Sequence, residues 1–569
     1  ACSKLEYVVP ITLAQGLPAL ASLSVSWCDE VKQVFGMPNE QDGVQHHGSL
    51  LLPSLQDLEL DWLRNLTSFV PQNYIVKAPS LKSVKANVCS KVINFPIQQA
   101  NNQLDLTLKE TGLSTFKELL CNTNDLILYN IGDHKNLVPD LIDLKRLDGL
   151  TSLSINNWQG GECLVDISQA MMDFKCNDQS PKCFLQNLKI LRVVDCENLS
   201  KIFRMDDGIE SNACAYYLSN LEIVKIKGCS SLEYVFPHAS VGVFSHLREI
   251  KLVELIGLRS IVGENNFLEA PILEILHIRE CSVFRNFTFP KEVKKCVSLK
   301  ELIFSMEDIH SEDVNLSDMV NTQLIQKSPD FEYITLGNFE QLFQLQGGYI
   351  ISSLERMELS NVIRLQDIWK GPIQVATNLR EIRVHCCNNL TYIFPELLIR
   401  HLPLLSILRI KSCVNLKKII GNDDILASSS SSPGPQLEMK MVFPQLKKIE
   451  LENLLKLESF SPVSYHLEFP CLHSLDIKKC SKMITNFSAD YLTLTVHAKT
   501  DQEPGAVSVV AGSYWSKPPM GWVVKCNINA TLFNEENVVV WFAVVCDVEG
   551  RVNQMKALKV IELYESKRP

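Results

Sequence analysis

The chain has 569 residues, 46% hydrophobic and 21% charged, with 55 Lys and Arg against 65 Asp and Glu for a net charge of −10. That composition excludes a disordered, collagen-like or disulfide-scaffold chain, and the acidic balance argues against general nucleic-acid binding. No apolar run approaches the roughly 18 residues of a membrane helix. Ala1-Cys2-Ser3-Lys4 leads into no signal-type stretch, so a soluble, cytoplasmic chain is expected, and the missing initiator Met points to an absent N-terminal portion.

At roughly 150 residues per domain the length would imply about four domains, but that prior fails when the chain repeats itself. It does repeat, as L-x-x-L-x-[LIV]-x-x-[CLV]-x-x-L. Weaker copies begin near Leu20, Leu55, Leu81, Thr123 and Leu150. Clear copies follow as Leu188, Leu191, Val193, Cys196, Leu199, then as Leu221, Val224, Ile226, Cys229, Leu232. The starts Leu221, Leu247, Leu273 and Leu299 are each 26 residues apart. Further copies begin at Phe331, Leu354, Leu379, Leu405, Leu446 and Leu472, about sixteen units before residue 490.

The alternating centre of each unit predicts a short strand with one buried face, and the following Cys or Leu turns the chain back beneath it. One such coil cannot bury its own apolar edge, so neighbours stack. The expected fold is an α/β leucine-rich-repeat solenoid over 1–490, with a curved parallel sheet on its concave face. Sixteen strands at the usual spacing would extend roughly 75 Å. Stretches near 36–49 and 421–436 are rich in Gly, Pro and Ser and read as extruded loops. A linker at 491–512 then precedes a tail of different character, 513–569.

Cys28, Cys89, Cys196, Cys229, Cys281, Cys387, Cys413 and Cys480 occupy the turn position and are expected to be small, buried, reduced thiols. The sequon residues Asn65, Asn198 and Asn389 each precede a buried Leu of the repeat and read as by-products of the pattern rather than glycan sites. Cys163, Cys176 and Cys183 match no zinc spacing. His46-His47 falls in a loop, while Cys387 is a turn residue and His385 points to the concave face, so the two diverge. No metal, cofactor, small-molecule substrate or catalytic residue is expected.

Phrases such as LKILRVVDCENLSKIF, LEIVKIKGCSSLEYVFP and LREIRVHCCNNLTYIFP resemble the leucine-rich-repeat region of plant coiled-coil nucleotide-binding resistance proteins, from about Leu17 to Phe487. The resemblance implies a non-enzymatic module for defense that recognises a pathogen effector or host protein. No phosphate-binding loop G-x-x-x-x-G-K-[ST] is present, so nucleotide switching is not assigned to this chain. The tail, Trp515-Ser516-Lys517-Pro518-Pro519-Met520-Gly521-Trp522 with Lys525-Cys526-Asn527-Ile528-Asn529-Ala530, resembles the opening of a plant retroelement-type ribonuclease H-like domain. Asn529 stands where that family has its first metal-binding carboxylate. Asp547 lies in the stretch Cys546-Asp547-Val548-Glu549-Gly550 and Glu562 could be offered as the second ligand, yet no Asp follows Glu562 before Pro569, so the tail reads as a truncated, inactive fragment. A nucleic-acid role through this tail and a receptor fragment or pseudogene-like product with no partner are the alternative readings.

The outward positions of the strands carry the last expectation. In the frame where Leu191 and Val193 point inward, Ile190, Arg192 and Val194 point out. The same frame exposes Lys225, Lys251, Arg279, Arg383, Arg409 and Lys411, while the second unit shows Asp57, Glu59 and Asp61. The seven cations form a candidate partner-binding stripe for an acidic protein surface. Reversing Arg383 and Arg409 is expected to slow association while leaving stability nearly unchanged. Solubility of the face is the competing explanation.

Overall fold

The protein is described by a computed structural model covering residues 5–37, 48–99, 103–131 except 112 and 121, 149–166, 185–204, 218–236, 244–263, 268–284, 293–294, 298–306, 341–344, 353–370 except 363, 378–399, 402–421, 439–461, 465–483, 527–533, 538–546 and 552–562. The chain divides into two compact units, one made of Ala1–Leu273 with Cys281–Val283 and Glu292–Cys296, the other of Glu274–Glu280, Phe284–Lys291 and Val297–Pro569.

In the first unit nine strands pair in parallel, in chain order. They are β1 (Ser22–Ser26), β2 (Asp57–Asp61), β3 (Ser83–Asn87), β4 (Leu104–Lys109), β5 (Thr123–Tyr129), β6 (Ser152–Asn156), β7 (Ile190–Val194), β8 (Ile223–Lys227) and β9 (Glu249–Val253). In the second unit seven strands repeat the arrangement: β10 (Ile275–Arg279), β11 (Glu301–Ser305), β12 (Arg356–Ser360), β13 (Glu381–His385), β14 (Ile407–Lys411), β15 (Lys448–Glu452) and β16 (Ser474–Lys478). Each is the L-x-L core of one repeat, and pairing joins equivalent residues, so Leu191 meets Val224 and Val224 meets Ile250. Helices are single turns, such as Ile11–Ala14 and Glu396–Ile399. The result is a repeat solenoid built mostly of parallel strands.

Two details of the repeat count differ from the sequence reading. Strand β4 was not anticipated, because Gln103 replaces its leading Leu and Thr111 its turn Cys. Thr111 nonetheless does the work of the thiol: it is 4% exposed and its Oγ1 donates to Lys109 O at 2.8 Å. The unit expected from Phe331 lies outside the described residues. Strand β11 pairs directly with β12. The loops expected near 36–49 and 421–436, the linker, His46, His47, Cys176, Cys183, Asp547 and the tail's opening Trp-rich motif fall wholly or mostly outside the described residues as well.

The residue after each strand turns the coil. Among the described residues, fifteen of the sixteen strands are followed by a residue of positive φ, among them Trp27, Asn130, Asp195, Gly228, Asn361, Ser412 and Asn453. A left-handed residue swings the chain off the sheet while its N–H still reaches the neighbouring strand, as Asp195 N–H to Lys227 O and Asn453 N–H to Lys478 O, both 2.8 Å. Asn, Asp and Gly tolerate this conformation best. Gly228 is needed twice over, since φ is +66° and a Cβ there would overlap Asp195 Oδ1.

Inside, the coils stack like on like. Seven of the eight turn cysteines are buried and free. Each of Cys89, Cys196, Cys229, Cys387, Cys413 and Cys480 donates its S–H to the carbonyl two residues earlier at 3.3–3.5 Å. Cys89 also reaches Leu60 O of the preceding coil, at 3.8 Å. Cys28 is the exception to the expected burial, being half-buried. It follows β1, the end strand of its run, so among the described residues a main-sheet coil stacks on one side of it only. Burial pushes the Cys89 and Cys480 thiols up to about 11 and Cys413 to about 12. The hydrogen bond between the Cys196 and Cys229 thiols, with burial, holds Cys229 protonated.

Several of the described coils carry a second, shorter strand on their far side that the sequence did not announce. Cys163–Asp166, Lys201–Arg204, Tyr234–Phe236 and Ser260–Val262 form one such parallel sheet. In the earlier coils of the first unit runs a phenylalanine column, with Phe35, Phe69, Phe95 and Phe116 at successive centroid separations of 5.3, 4.9 and 4.6 Å. The tail differs: Asn527–Phe533, Val538–Cys546 and Val552–Glu562 form an antiparallel meander.

Two outcomes test this account. Val88 is β-branched yet closes β3 at φ 52°, so Val88→Asn should raise stability by up to about 1 kcal/mol, read by denaturant unfolding. Thiol labelling at pH 8 with peptide mapping should modify Cys28 and Cys471, which are half-buried, well before Cys196, Cys229, Cys281 and Cys413. Cys229→Lys should cost roughly 3–5 kcal/mol by burying an unpaired charge.

Candidate functional site

The outward positions of the main strands form the most ordered polar surface on the chain. The frame read from the sequence holds in β7, where Leu191 and Val193 are buried while Ile190, Arg192 and Val194 are half-buried. Register then sets which outward residues meet. Arg192, Lys225 and Lys251 stand in consecutive register on β7, β8 and β9, and Arg383 and Arg409 stand opposite each other on β13 and β14. Arg279 and Lys411 sit one outward position further along their own strands. The seven cations are therefore divided, three in the first unit and four in the second.

What the sequence reading missed is the acid beside them. The first outward position of a strand, Ile190 in β7, is Glu249 in β9, Glu301 in β11 and Glu381 in β13. Glu249 Oε1 takes both Lys225 Nζ at 3.1 Å and Lys251 Nζ at 2.6 Å. Glu381 accepts from Arg383 Nε at 2.7 Å and Arg356 Nε at 3.0 Å, with Arg409 at 3.9 Å. Lys411 bridges Glu450 at 2.7 Å and Glu452 at 3.0 Å, and Arg356 also reaches Glu301 at 3.2 Å. The sequence frame could have found these carboxylates, since it already placed Ile190 outward.

Lys225, Lys251, Arg383, Arg409 and Lys411 are each paired with a carboxylate, and the face is a lattice of alternating charge rather than a row of free cations. Among the described residues Arg192 has no carboxylate partner, lying in register between Ser154 and Lys225. The geometry argues against the expectation that Arg383 and Arg409 can be reversed without loss of stability. Both guanidiniums lie against Glu381, which is 8% exposed, so reversal would crowd carboxylates where cations now neutralise one.

The electrostatics follow the geometry. Burial raises the Glu381 pKa, but hydrogen bonds from Arg383 and Arg356 outweigh it and hold the carboxyl below the ordinary glutamate range. Glu450 is lowered in the same way, with Lys411 overcoming its burial. Asp105 moves oppositely, raised by burial and by Asp125, its in-register neighbour.

The sequons are structurally employed. Asn65 Nδ2 donates to Asp29 O and Asn198 Nδ2 to Gln159 O, each at 2.8 Å across adjacent coils, so these amides serve the stack. Cys163 is a buried core residue. Among the described residues no group of three or more His, Cys, Asp or Glu is placed to hold a metal ion, and no helix is long and apolar enough to cross a membrane. In the tail, Asn529 pairs with Phe542 and Glu562 with Val538, four residues apart along the middle strand, so the backbone does not bring the two together.

A family model described as plant disease resistance protein RPS2-like leucine-rich repeats matches residues 1–111, 108–254, 162–308 and 350–496. The chain belongs to this family. The match covers most of the described strands and stops before the tail, where the ribonuclease H-like resemblance finds no support. No curated protein and no solved structure matches the chain. As a resistance-type leucine-rich-repeat chain, it carries its polar information on the strand faces described above.

Glu381→Gln should lower stability by roughly 1–3 kcal/mol, less than for a fully buried pair because Arg356 and Arg383 remain partly hydrated. The sign with pH follows from the lowered carboxyls. Their contribution is complete above the ordinary glutamate range and is lost as pH falls through their depressed folded values. Thermal midpoints between pH 7 and 3 should therefore fall more steeply for the parent than for Glu381→Gln.

Proposed function

We propose that this chain is a non-enzymatic recognition module of plant immune-receptor type, which binds a pathogen effector or a host protein on the outward face of its main strands. The observation that carries the reading is the one-to-one register of exposed side chains on a parallel ladder, in a chain that belongs to a resistance-protein repeat family. Such a ladder offers a wide, stiff array of polar groups whose spacing is fixed by backbone hydrogen bonds. Buried turn thiols suit a reducing compartment, which supports a cytoplasmic site of action.

Of the seven candidate residues, Arg192 with Lys225 and Lys251 is the group that best fits an acidic partner, because Glu249 answers two of the three charges and Arg192 is left over. Arg279, Arg383, Arg409 and Lys411 contribute pattern more than net charge, since carboxylates interleave with most of them. A partner there must match alternating signs.

The experiment is a binding screen against acidic effector and host candidates, followed by association kinetics of the parent and the Arg192→Glu, Lys225→Glu double variant. Association should slow more than tenfold at low salt and much less at high salt, with the thermal midpoint changed by only a few degrees. Equal rates for both proteins across the salt range would remove this face from the proposal.

For the tail, the inactive ribonuclease H-like reading rests on its opening motif, and the antiparallel meander is compatible with it. Asn529 brings no charge to a metal ion.

A further inference from the structure

At the other end of the first unit, the outward face changes character. Trp27 and Trp62 close β1 and β2 in the left-handed conformation, with ring centroids 4.8 Å apart and planes 7° from parallel. Trp27 is 55% exposed, and the Arg64 guanidinium lies 5.1 Å from the Trp62 ring centroid. The fold does not need an indole here. Other coils fill this position with Asn, Asp, Glu, Ser, Gly or Lys, and in two coils with Val88 and Cys386, none of them aromatic. An exposed aromatic stack at a site that the other left-handed closures fill without a ring is a recognition feature rather than a core element.

Beside it, β2 presents Asp57, Glu59 and Asp61 in a row, the acidic unit that the proposed function leaves unused. Asp57 and Glu59 are exposed and Asp61 half-buried, and Asp29 and Glu30 follow Trp27 on the surface. Strand β1 sets Ser22, Ser24 and Ser26 in register with the three acids. These short side chains leave a shallow strip along β1, bordered by carboxylates and ending at Trp27. Glu59 accepts from Ser24 Oγ at 3.1 Å, and Lys85 of β3 stands in register with it. Among the described residues no ion pair engages Asp57, Glu59 or Asp61, whereas Glu381 of the second unit is met by three arginines.

We propose that this edge binds an extended cationic peptide segment of a partner protein, with Lys or Arg at alternate residues. Alternate side chains of β2 recur at about 6.6–6.8 Å, the repeat of any extended chain, so three cations of such a segment meet three carboxylates without bending. The next cation of the segment, two residues on, reaches Trp27, where a guanidinium gains from the indole quadrupole. A second copy of this chain is a poor occupant, because its net charge is −10 and this strip is itself acidic. The inference stands apart from the cationic face around Arg192, which calls for a partner of opposite sign.

The test is fluorescence anisotropy with the full chain and three labelled probes: a peptide alternating Arg and Ser, a peptide of the same composition with its Arg residues contiguous, and a peptide alternating Glu and Ser. The alternating Arg peptide should bind at least severalfold tighter than the contiguous one, and the Glu peptide should not bind. Trp27→Asn, which keeps a residue suited to the left-handed position, should weaken the alternating peptide about tenfold with an unchanged thermal midpoint. Glu59→Gln should weaken it and flatten its salt dependence, whereas Arg192→Glu should leave it no weaker. Equal affinity for the two Arg peptides, or no effect of Trp27→Asn and Glu59→Gln, would mean attraction to net charge alone and would overturn the proposal. Concentration-dependent self-association in sedimentation that disappears in Trp27→Asn would overturn it in favour of a second copy.

Discussion

Everything distinctive in this structure depends on register. Within each unit the main strands pair in register, so a position in one repeat stacks on the same position in its neighbour. Hydrogen bonds between parallel backbones impose this alignment whatever the side chains are, and the side chains must then be compatible with their own likeness a strand spacing away. Small thiols, flat phenyl rings and amides meet that demand; identical unscreened charges do not.

The same constraint explains the charge lattice. A strand face that repeated one cation per coil would pile up like charges, and the chain avoids this by moving carboxylates to the neighbouring outward position. Glu249 between Lys225 and Lys251, and Glu381 among Arg356, Arg383 and Arg409, are the two clearest solutions. These carboxylates are shielded while their cations keep one side in water, which leaves the pairs both structural and available to a partner. Where the lattice lapses, at Arg192 and along Asp57, Glu59 and Asp61, the surface carries an unanswered charge, and those lapses are the places where recognition has something to act on.

Left-handed closure of the strands gives the face its second dimension. The residue that turns each coil is held at the rim of the sheet by its N–H bond to the next strand, so its side chain is displayed in a column of its own. Six of the described coils spend this position on Asn, Asp or Gly, where backbone conformation is the deciding factor. Trp27 and Trp62 are costly choices by that standard, and their mutual stacking recovers only part of the exposed area.

The sequence by itself determined the repeat, its strands and the inward frame, because a period-two apolar core with a turn residue three positions later is a local pattern. It also determined that Cys196, Cys229 and Cys413 would be buried. It missed β4, since Gln103 and Thr111 break the letter pattern while Thr111 reproduces the hydrogen bond of the thiol. Only the tertiary structure decided which charges neutralise which, that β11 pairs directly with β12, and that two tryptophans 35 positions apart form one stack. The reason is that periodicity reports which way a side chain points along its own strand. Which side chain it meets depends on how much chain each coil loops out before returning to the sheet, and that length varies from repeat to repeat.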